Sequence, residues 1–190
     1  MDICFGLGYN TLATLYYIQK NNLDINLTIY SPEFDKELLH SLKNFNYPKE
    51  FDNLKNIIDT LSQEFYYEDK NTKIKIYNGD AREYIKNLHN IDIVYQDAFS
   101  SDVNPLLWSV EYFKDIKNTL SDDAILTTYS IATPIRLSIY ENDFLIYEYK
   151  PEKSNRITIA LNKKELHKEY KYIDMELKKK RNTTAKALYD

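Results

Sequence analysis

Glycine is almost missing from this chain. Of its 190 residues only Gly6, Gly8 and Gly79 are glycine, where about a dozen would be ordinary. A residue this scarce is kept where nothing else serves, at a positive φ or where a group must approach the backbone closely. Two of the three stand two positions apart in "CFGLGYN". Cysteine is scarcer still: Cys4 alone excludes an internal disulfide framework and fits a reducing, cytoplasmic setting. No apolar run approaches the roughly 20 residues of a membrane span, and no signal peptide precedes the first strand. Positive charge has no excess, since 25 Lys and Arg face 29 Asp and Glu for a net charge of -4. A nucleic acid would therefore have to meet a local basic cluster rather than a general field. His40, His89 and His167 are scattered, so the sequence implies no metal.

What the chain does contain is patterned. Hydrophobic residues at 43% and charged residues at 28% describe a globular α/β domain with a sizeable core. A short strand over residues 2–5 runs into the glycine pair, and a helix follows over 11–20. "INLTIYS" alternates as a strand, after which Pro32 opens a helix with Ser31 as its N-cap. A polar helical insert is expected over 49–68, and "KIKIYNG" is a strand ending at Gly79. A helix over 80–88 leads to the strand "IDIVYQD". The loop "AFSSDVNP" exits at Asn104-Pro105 into an amphipathic helix over 106–120. A strand at 124–130, a helix at 131–140 and a hairpin of 143–150 with 156–162 complete the body. Alternation of this kind predicts a mostly parallel sheet with helices on both faces and an antiparallel hairpin at its C-terminal edge. The body is read as 1–162, with a lysine-rich tail over 163–190.

Ligands of open α/β sheets sit beyond the carboxyl ends of the strands. That rule selects Gly6 to Asn10, Glu33, Asp80, and Asp97 to Phe99. "FGLGYN" lacks the Lys-Ser/Thr ending of a phosphate loop, and Thr11 replaces the third glycine of a dinucleotide fingerprint. The shorter turn leaves room for a nucleoside bearing an amino-acid tail, or it simply joins strand to helix. Glu33 can accept from both hydroxyls of a ribose, or sit as an acid in a helix's first turn. Asp80 can accept from an exocyclic amine such as that of adenine, or start a helix. Asp97 ends an apolar strand, where a charge is costly unless paired or used; it is a general base or a loop cap. Phe99 and Trp108 are either rings that sandwich a flat substrate or core aromatics.

These segments carry a resemblance. "DICFGLGYNTL", "IYSPEFDKELL", "NGDARE", "DIVYQDAFSSDVNPLLWSVEYF", "ILTTYSIATPIRLSI" and "NRITIA" together resemble, in order, the methyltransferase domain of the MnmC family, which forms 5-methylaminomethyl-uridine at the tRNA wobble position. The resemblance implies a Rossmann-like S-adenosylmethionine-dependent methyltransferase fold and S-adenosyl-L-methionine as cofactor. It implies that Phe5, Gly6, Gly8 and Asn10 line the cofactor's methionine side, that Glu33 holds the ribose and that Asp80 holds the adenine. It makes Asp97 the catalytic residue facing the substrate amine and places Phe99, Tyr129, Ser130 and Arg136 on the substrate side. tRNA is the implied partner, with a separate FAD-dependent or other wobble-uridine enzyme acting upstream. Against the family pattern the first strand reads as truncated and the C-terminal end as shortened; Ser101 stands where members often carry Pro, and Asn155-Arg156 where they carry Lys-Arg. A spermidine-synthase-like aminopropyltransferase and a non-catalytic cofactor- or RNA-binding relic are the alternatives. The basic surface for tRNA is sought in Lys163, Lys164, Lys168, Lys171 and the run Lys178, Lys179, Lys180, Arg181.

Overall fold

A computed structural model describes residues 1–163 and 169–190. Lys164, Lys168 and His167 lie outside the described residues. The chain divides into two compact units, residues 1–84 and 85–190, rather than into a body and a tail.

In residues 1–84, β1 (Asp2–Ile3) leads through the glycine turn into α1 (Tyr9–Lys20). Strand β2 (Leu27–Glu33) pairs in parallel with β4 (Thr72–Asn78), with Glu33 opposite Asn78. The apolar positions at near-helical spacing become the buried Leu12 and Leu15 of α1, which pack with Phe5, Ile29, Leu54 and Ile74. Two expectations are corrected here. Pro32 does not open a helix and Ser31 is not its cap. Both lie inside β2: the buried Ser31 hydroxyl donates to the Asp2 carbonyl at 2.5 Å, and the Pro32 carbonyl accepts from the Phe5 amide at 3.2 Å. The next helix, α2 (Lys36–Ser41), is capped by Asp35, which accepts from the Leu38 amide at 2.8 Å. The helical insert also ends early. A 3-10 turn over Lys49–Leu54 precedes α3 (Lys55–Glu64), which stops where Phe65 turns left-handed at φ 55. Residues Tyr66–Glu68 then form β3, antiparallel to β4.

Helix α4 (Ala81–Ile85) carries the chain into residues 85–190. There β5 (Ile91–Gln96) pairs in parallel with β6 (Leu120–Thr128). The expected hairpin is present as β7 (Leu145–Tyr149) and β8 (Ile157–Leu161), with Tyr149 opposite Ile157. It is inserted in reverse, because β8 and not β7 pairs with β6. On the outer side β7 pairs with β9 (Lys171–Tyr172), a strand hidden in the lysine-rich segment. Helices α5 (Val110–Thr119) and α6 (Thr133–Tyr140) supply buried Tyr112, Phe113, Ile116, Ile135, Leu137 and Ile139.

The segment read as a tail is part of this unit. Helix α7 (Met175–Arg181) buries Met175, the Leu188 carbonyl accepts from the Val110 amide at 2.8 Å, and the Leu188 amide donates to Ser138 Oγ at 2.9 Å.

Candidate functional site

The glycine turn of residues 1–84 is built from left-handed residues. Cys4, Gly6 and Gly8 have φ of 62°, 55° and 74°, so three of five successive positions lie where L side chains are strained. Gly8 doubles as the N-cap position of α1, with its amide donating to the Phe5 carbonyl at 2.8 Å. The two glycines answer different demands. A Cβ on Gly8 would lie 2.7 Å from the Phe5 ring, whereas a Cβ on Gly6 would meet nothing closer than the Cys4 carbonyl at 3.7 Å. Gly8 is closed by packing, and Gly6 borders open space. The Phe5 ring itself is buried in the core beneath Gly8, so what Phe5 offers a ligand is backbone.

Glu33 fastens this turn to the end of β2. Its Oε2 accepts from the Gly6 amide at 2.8 Å and its Oε1 from the Asp35 amide at 2.9 Å. The Glu33 carbonyl receives the Gly79 amide at 3.0 Å and Asn78 Nδ2 at 3.0 Å. The turn after β1, the end of β2 and the end of β4 therefore meet at one residue, the first through its carboxylate and the last through its carbonyl. A carboxylate has about four acceptor positions, so two amide contacts leave capacity for a ribose diol. Asp80 is exposed, and its Oδ1 accepts from the Arg82 amide at 2.7 Å, the helix-start geometry. Asn10 turns the other way: its Nδ2 donates to Asp2 at 3.0 Å, while Thr11 donates to the second Asp2 oxygen at 2.8 Å.

The sequence reading passed over Asp2, a buried carboxylate that locks β1 to the first turn of α1. It also passed over Tyr47, whose hydroxyl donates to the carbonyl of Leu7, between the glycines, at 2.9 Å. Burial, followed by the neighbouring Tyr9, pushes the Tyr47 phenol up to about 12.

The Asp97 loop belongs to residues 85–190. Asp97 follows β5 and is exposed, so the expected cost of burying its charge does not arise. Its neighbours are held instead. Gln96, fully buried, donates to the Leu107 carbonyl at 2.9 Å and accepts from Tyr112 Oη at 3.1 Å. The structure divides the two readings open for Phe99 and Trp108 between the pair. Phe99 is 72% exposed, but Trp108 is 1% exposed and donates through Nε1 to the Phe99 carbonyl at 2.7 Å. Trp108 packs edge-on against Tyr129, with ring centroids 5.9 Å apart. Pro105 opens a 3-10 turn, Pro105–Leu107, and α5 begins only after Ser109, whose Oγ accepts from the Tyr112 amide at 3.2 Å.

Of the remaining candidates, Tyr129 is half exposed and its hydroxyl donates to the Ala98 carbonyl at 2.9 Å. The Ser130 carbonyl accepts from Thr158 Oγ1 at 2.6 Å. Arg136 is corrected from a substrate contact to an internal one: it is 2% exposed, with Nε on Thr158 at 2.9 Å and Nη2 on Glu148 at 3.0 Å. Glu148 also takes Arg156 at 3.3 Å. Burial works to raise the Glu148 carboxyl, but the hydrogen bonds and charges of Arg136 and Arg156 outweigh it and hold it below the ordinary range. No spacing in the sequence marks Thr158 or Glu148 as partners of Arg136, because hairpin register brings them in.

The basic run on α7 is partly spent. Lys178 donates to Thr133 Oγ1 at 3.4 Å, and Lys179 lies near Glu176 and Glu141 and over the Tyr140 ring. Lys180 and Arg181 are exposed. His40 contacts the Ser62 carbonyl at 2.8 Å. Among the described residues no group of three His, Cys, Asp or Glu side chains is placed to hold a metal, and no helix is long and apolar enough to cross a membrane.

A profile described as S-adenosyl-L-methionine-dependent methyltransferase matches residues 32–163. An uncharacterised Methanocaldococcus jannaschii protein, MJ0670, is 30% identical over 169 residues, 84% of this chain and 45% of that one. The bifunctional protein MnmC of Burkholderia vietnamiensis, named for tRNA 5-methylaminomethyl-2-thiouridine biosynthesis, is 36% identical over 67 residues, 35% of this chain and 10% of its own length. The chain thus spans less than half the length of these curated relatives. The crystal structure of MNMC2 from Aquifex aeolicus superposes with a TM-score of 0.80 at 26% identity, covering 100% of this chain and 60% of that one. A spermidine synthase bound to the transition-state analogue AdoDATO superposes with a TM-score of 0.57 at 13% identity, a likeness of fold alone. The fold is the Rossmann-like methyltransferase fold.

Proposed function

The chain belongs to the S-adenosyl-L-methionine-dependent methyltransferase family, and from that premise we propose that it N-methylates the aminomethyl group of a wobble uridine in tRNA, converting 5-aminomethyl- to 5-methylaminomethyl-uridine. The observation that carries this reading is the Glu33 carboxylate, whose Oε2 takes the Gly6 amide at 2.8 Å. It joins an open glycine turn to an acidic strand end, which suits a nucleoside with an amino-acid tail. When bound, S-adenosylmethionine supplies a methyl group already activated on a sulfonium.

The chain's own residues supply binding, orientation and a proton acceptor. Gly6 leaves the backbone approachable, Glu33 accepts from the ribose hydroxyls, and Asp80 accepts from the adenine amine. Asp97 accepts an N–H of the neutral amine, points its lone pair, and takes or relays the proton lost on methylation. Phe99 offers its exposed ring to the base. Lys180 and Arg181 contribute phosphate contacts, and an upstream FAD-dependent or other wobble-uridine enzyme furnishes the aminomethyl substrate.

The test is transfer of labelled methyl from S-adenosylmethionine to bulk tRNA from a strain lacking this modification. Label in one wobble nucleoside is expected. Absence of label, with the protein folded, refutes the proposed substrate. Titration calorimetry separates the aminopropyl chemistry, since tighter binding of decarboxylated S-adenosylmethionine would favour it.

A further inference from the structure

We infer that Tyr129 and Trp108 are positioning residues that hold Asp97 in place by clamping the Ala98–Phe99 and Phe99–Ser100 peptide units just beyond it, an inference that rests on Asp97 being the group that faces the amine. Tyr129 Oη donates to the Ala98 carbonyl at 2.9 Å, and Trp108 Nε1 donates to the Phe99 carbonyl at 2.7 Å. The two acceptors are consecutive, and each belongs to a rigid planar unit. Holding both oxygens restrains both planes, and with them the φ and ψ of Phe99, two residues after Asp97. The donors brace each other, their rings meeting edge-on at 84° with centroids 5.9 Å apart.

The preceding side is equally held, because the buried Gln96 is tied to the Leu107 carbonyl and to Tyr112. Asp97 is thus an exposed carboxylate on a backbone anchored before and after it. The same clamp turns the Phe99 side chain outward while its carbonyl points in, which accounts for an aromatic ring left 72% exposed.

Tyr129 has a support of its own. Thr158 Oγ1 donates to the Ser130 carbonyl at 2.6 Å and accepts from Arg136 Nε at 2.9 Å, and Arg136 is paired with Glu148 at 3.0 Å. The buried arginine therefore serves the backbone that carries Tyr129. A proton acceptor must sit within hydrogen-bond reach and in line, and a displacement near 1 Å costs on the order of 100-fold in rate. A clamp on both flanks meets that demand.

The test is Tyr129→Phe, which keeps the ring against Trp108 and removes the one hydroxyl. Its kcat and KM are measured with labelled S-adenosylmethionine and tRNA, in the wild-type and the Asp97→Asn backgrounds, together with hydrogen exchange of amides 98–104. The expected result is a kcat lower by about tenfold, KM values little changed, faster exchange over 98–104, and no further loss in the Asp97→Asn background. Trp108→Phe should give the same pattern. A raised KM with kcat intact would make Tyr129 a substrate contact and overturn the inference. An equal further loss in the Asp97→Asn background would overturn it too, as a general structural effect. Wild-type rate in Asp97→Asn alone would overturn the role of Asp97 and the inference together. Should the wild type methylate no tRNA, the proposed substrate fails, and hydrogen exchange judges the clamp: unchanged exchange in Tyr129→Phe overturns it.

Discussion

One methyl group added at either glycine of the turn separates packing from ligand binding. Alanine at Gly8 meets two costs. A left-handed backbone at φ 74° is worth about 1–2 kcal/mol against an L residue. The new Cβ also falls 2.7 and 2.8 Å from atoms of the Phe5 ring. That ring is buried among Leu12, Leu15 and Ile29 and has nowhere to swing, so overpacking adds about 1–3 kcal/mol. The total is about 2–5 kcal/mol. Alanine at Gly6 meets only the backbone cost, about 1–2 kcal/mol, because its nearest contact is an ordinary 3.7 Å.

Urea unfolding should therefore rank wild type above Gly6→Ala and Gly6→Ala above Gly8→Ala. Adding Phe5→Leu to Gly8→Ala should recover part of the loss through a favourable coupling of about 0.5–3 kcal/mol. Calorimetry with S-adenosylmethionine should show the reverse use of the two sites. Gly6→Ala stays folded and loses affinity, since its methyl enters the open side of the turn. Equal stability of the two variants would refute the packing argument, and unchanged affinity in Gly6→Ala would remove the turn from the cofactor site.

Other consequences are as direct. Arg136→Met should cost about 3–5 kcal/mol, because it strips Glu148 of its buried partner, whereas Arg156→Gln, which removes the exposed second partner of Glu148, should cost about 0–1 kcal/mol; thermal unfolding checks both, and a wild-type-like Arg136→Met would return Arg136 to the substrate side. Tyr47 has its folded-state pKa raised from 10.0 to about 12, so the fold favours its neutral form. That contribution is complete below pH 10 and is lost as pH climbs towards 12. Tyr47→Phe cannot ionise there, so its urea midpoint should fall less across that window than the wild type's, and a parallel fall would refute the assignment. Replacing Lys180 and Arg181 by Gln should lower the salt slope of tRNA binding by about 1.4–1.8 if both contact phosphate; an unchanged slope in filter binding would move the RNA surface elsewhere.

The sequence was most legible where a backbone demand left a compositional mark. The scarce glycines located the turn, alternation located β4 and the hairpin, and the strand-end rule singled out Glu33, which joins the turn to β2. It was least legible where a local signal was outvoted by pairing. Ser31-Pro32 has the chemistry of a helix start, but β4 and the chain near Asp2 hold it as strand. Tyr66–Glu68 continues a helical pattern, but a left-handed Phe65 releases it to pair with β4. Arg136 was placed on the substrate side and Trp108 left open between substrate and core for one reason: a guanidinium and an indole are polar enough to meet a ligand, and only their burial shows that Thr158, Glu148 and the Phe99 carbonyl already occupy them. Asn10 likewise spends its amide on Asp2, a carboxylate whose burial no spacing announces.

Trp108 is the sole tryptophan beside 18 tyrosines, which gives the protein a built-in optical label. An indole excited at wavelengths that spare tyrosine reports from one address, the turn behind Asp97. Its 1% exposure sets a blue emission maximum and shields it from aqueous quenchers such as iodide. Whatever loosens that turn, whether heat, denaturant or a missing hydroxyl at Tyr129, should shift the emission to the red and open it to quenching. Light from one ring therefore reports on the packing of residues 85–190 around that turn.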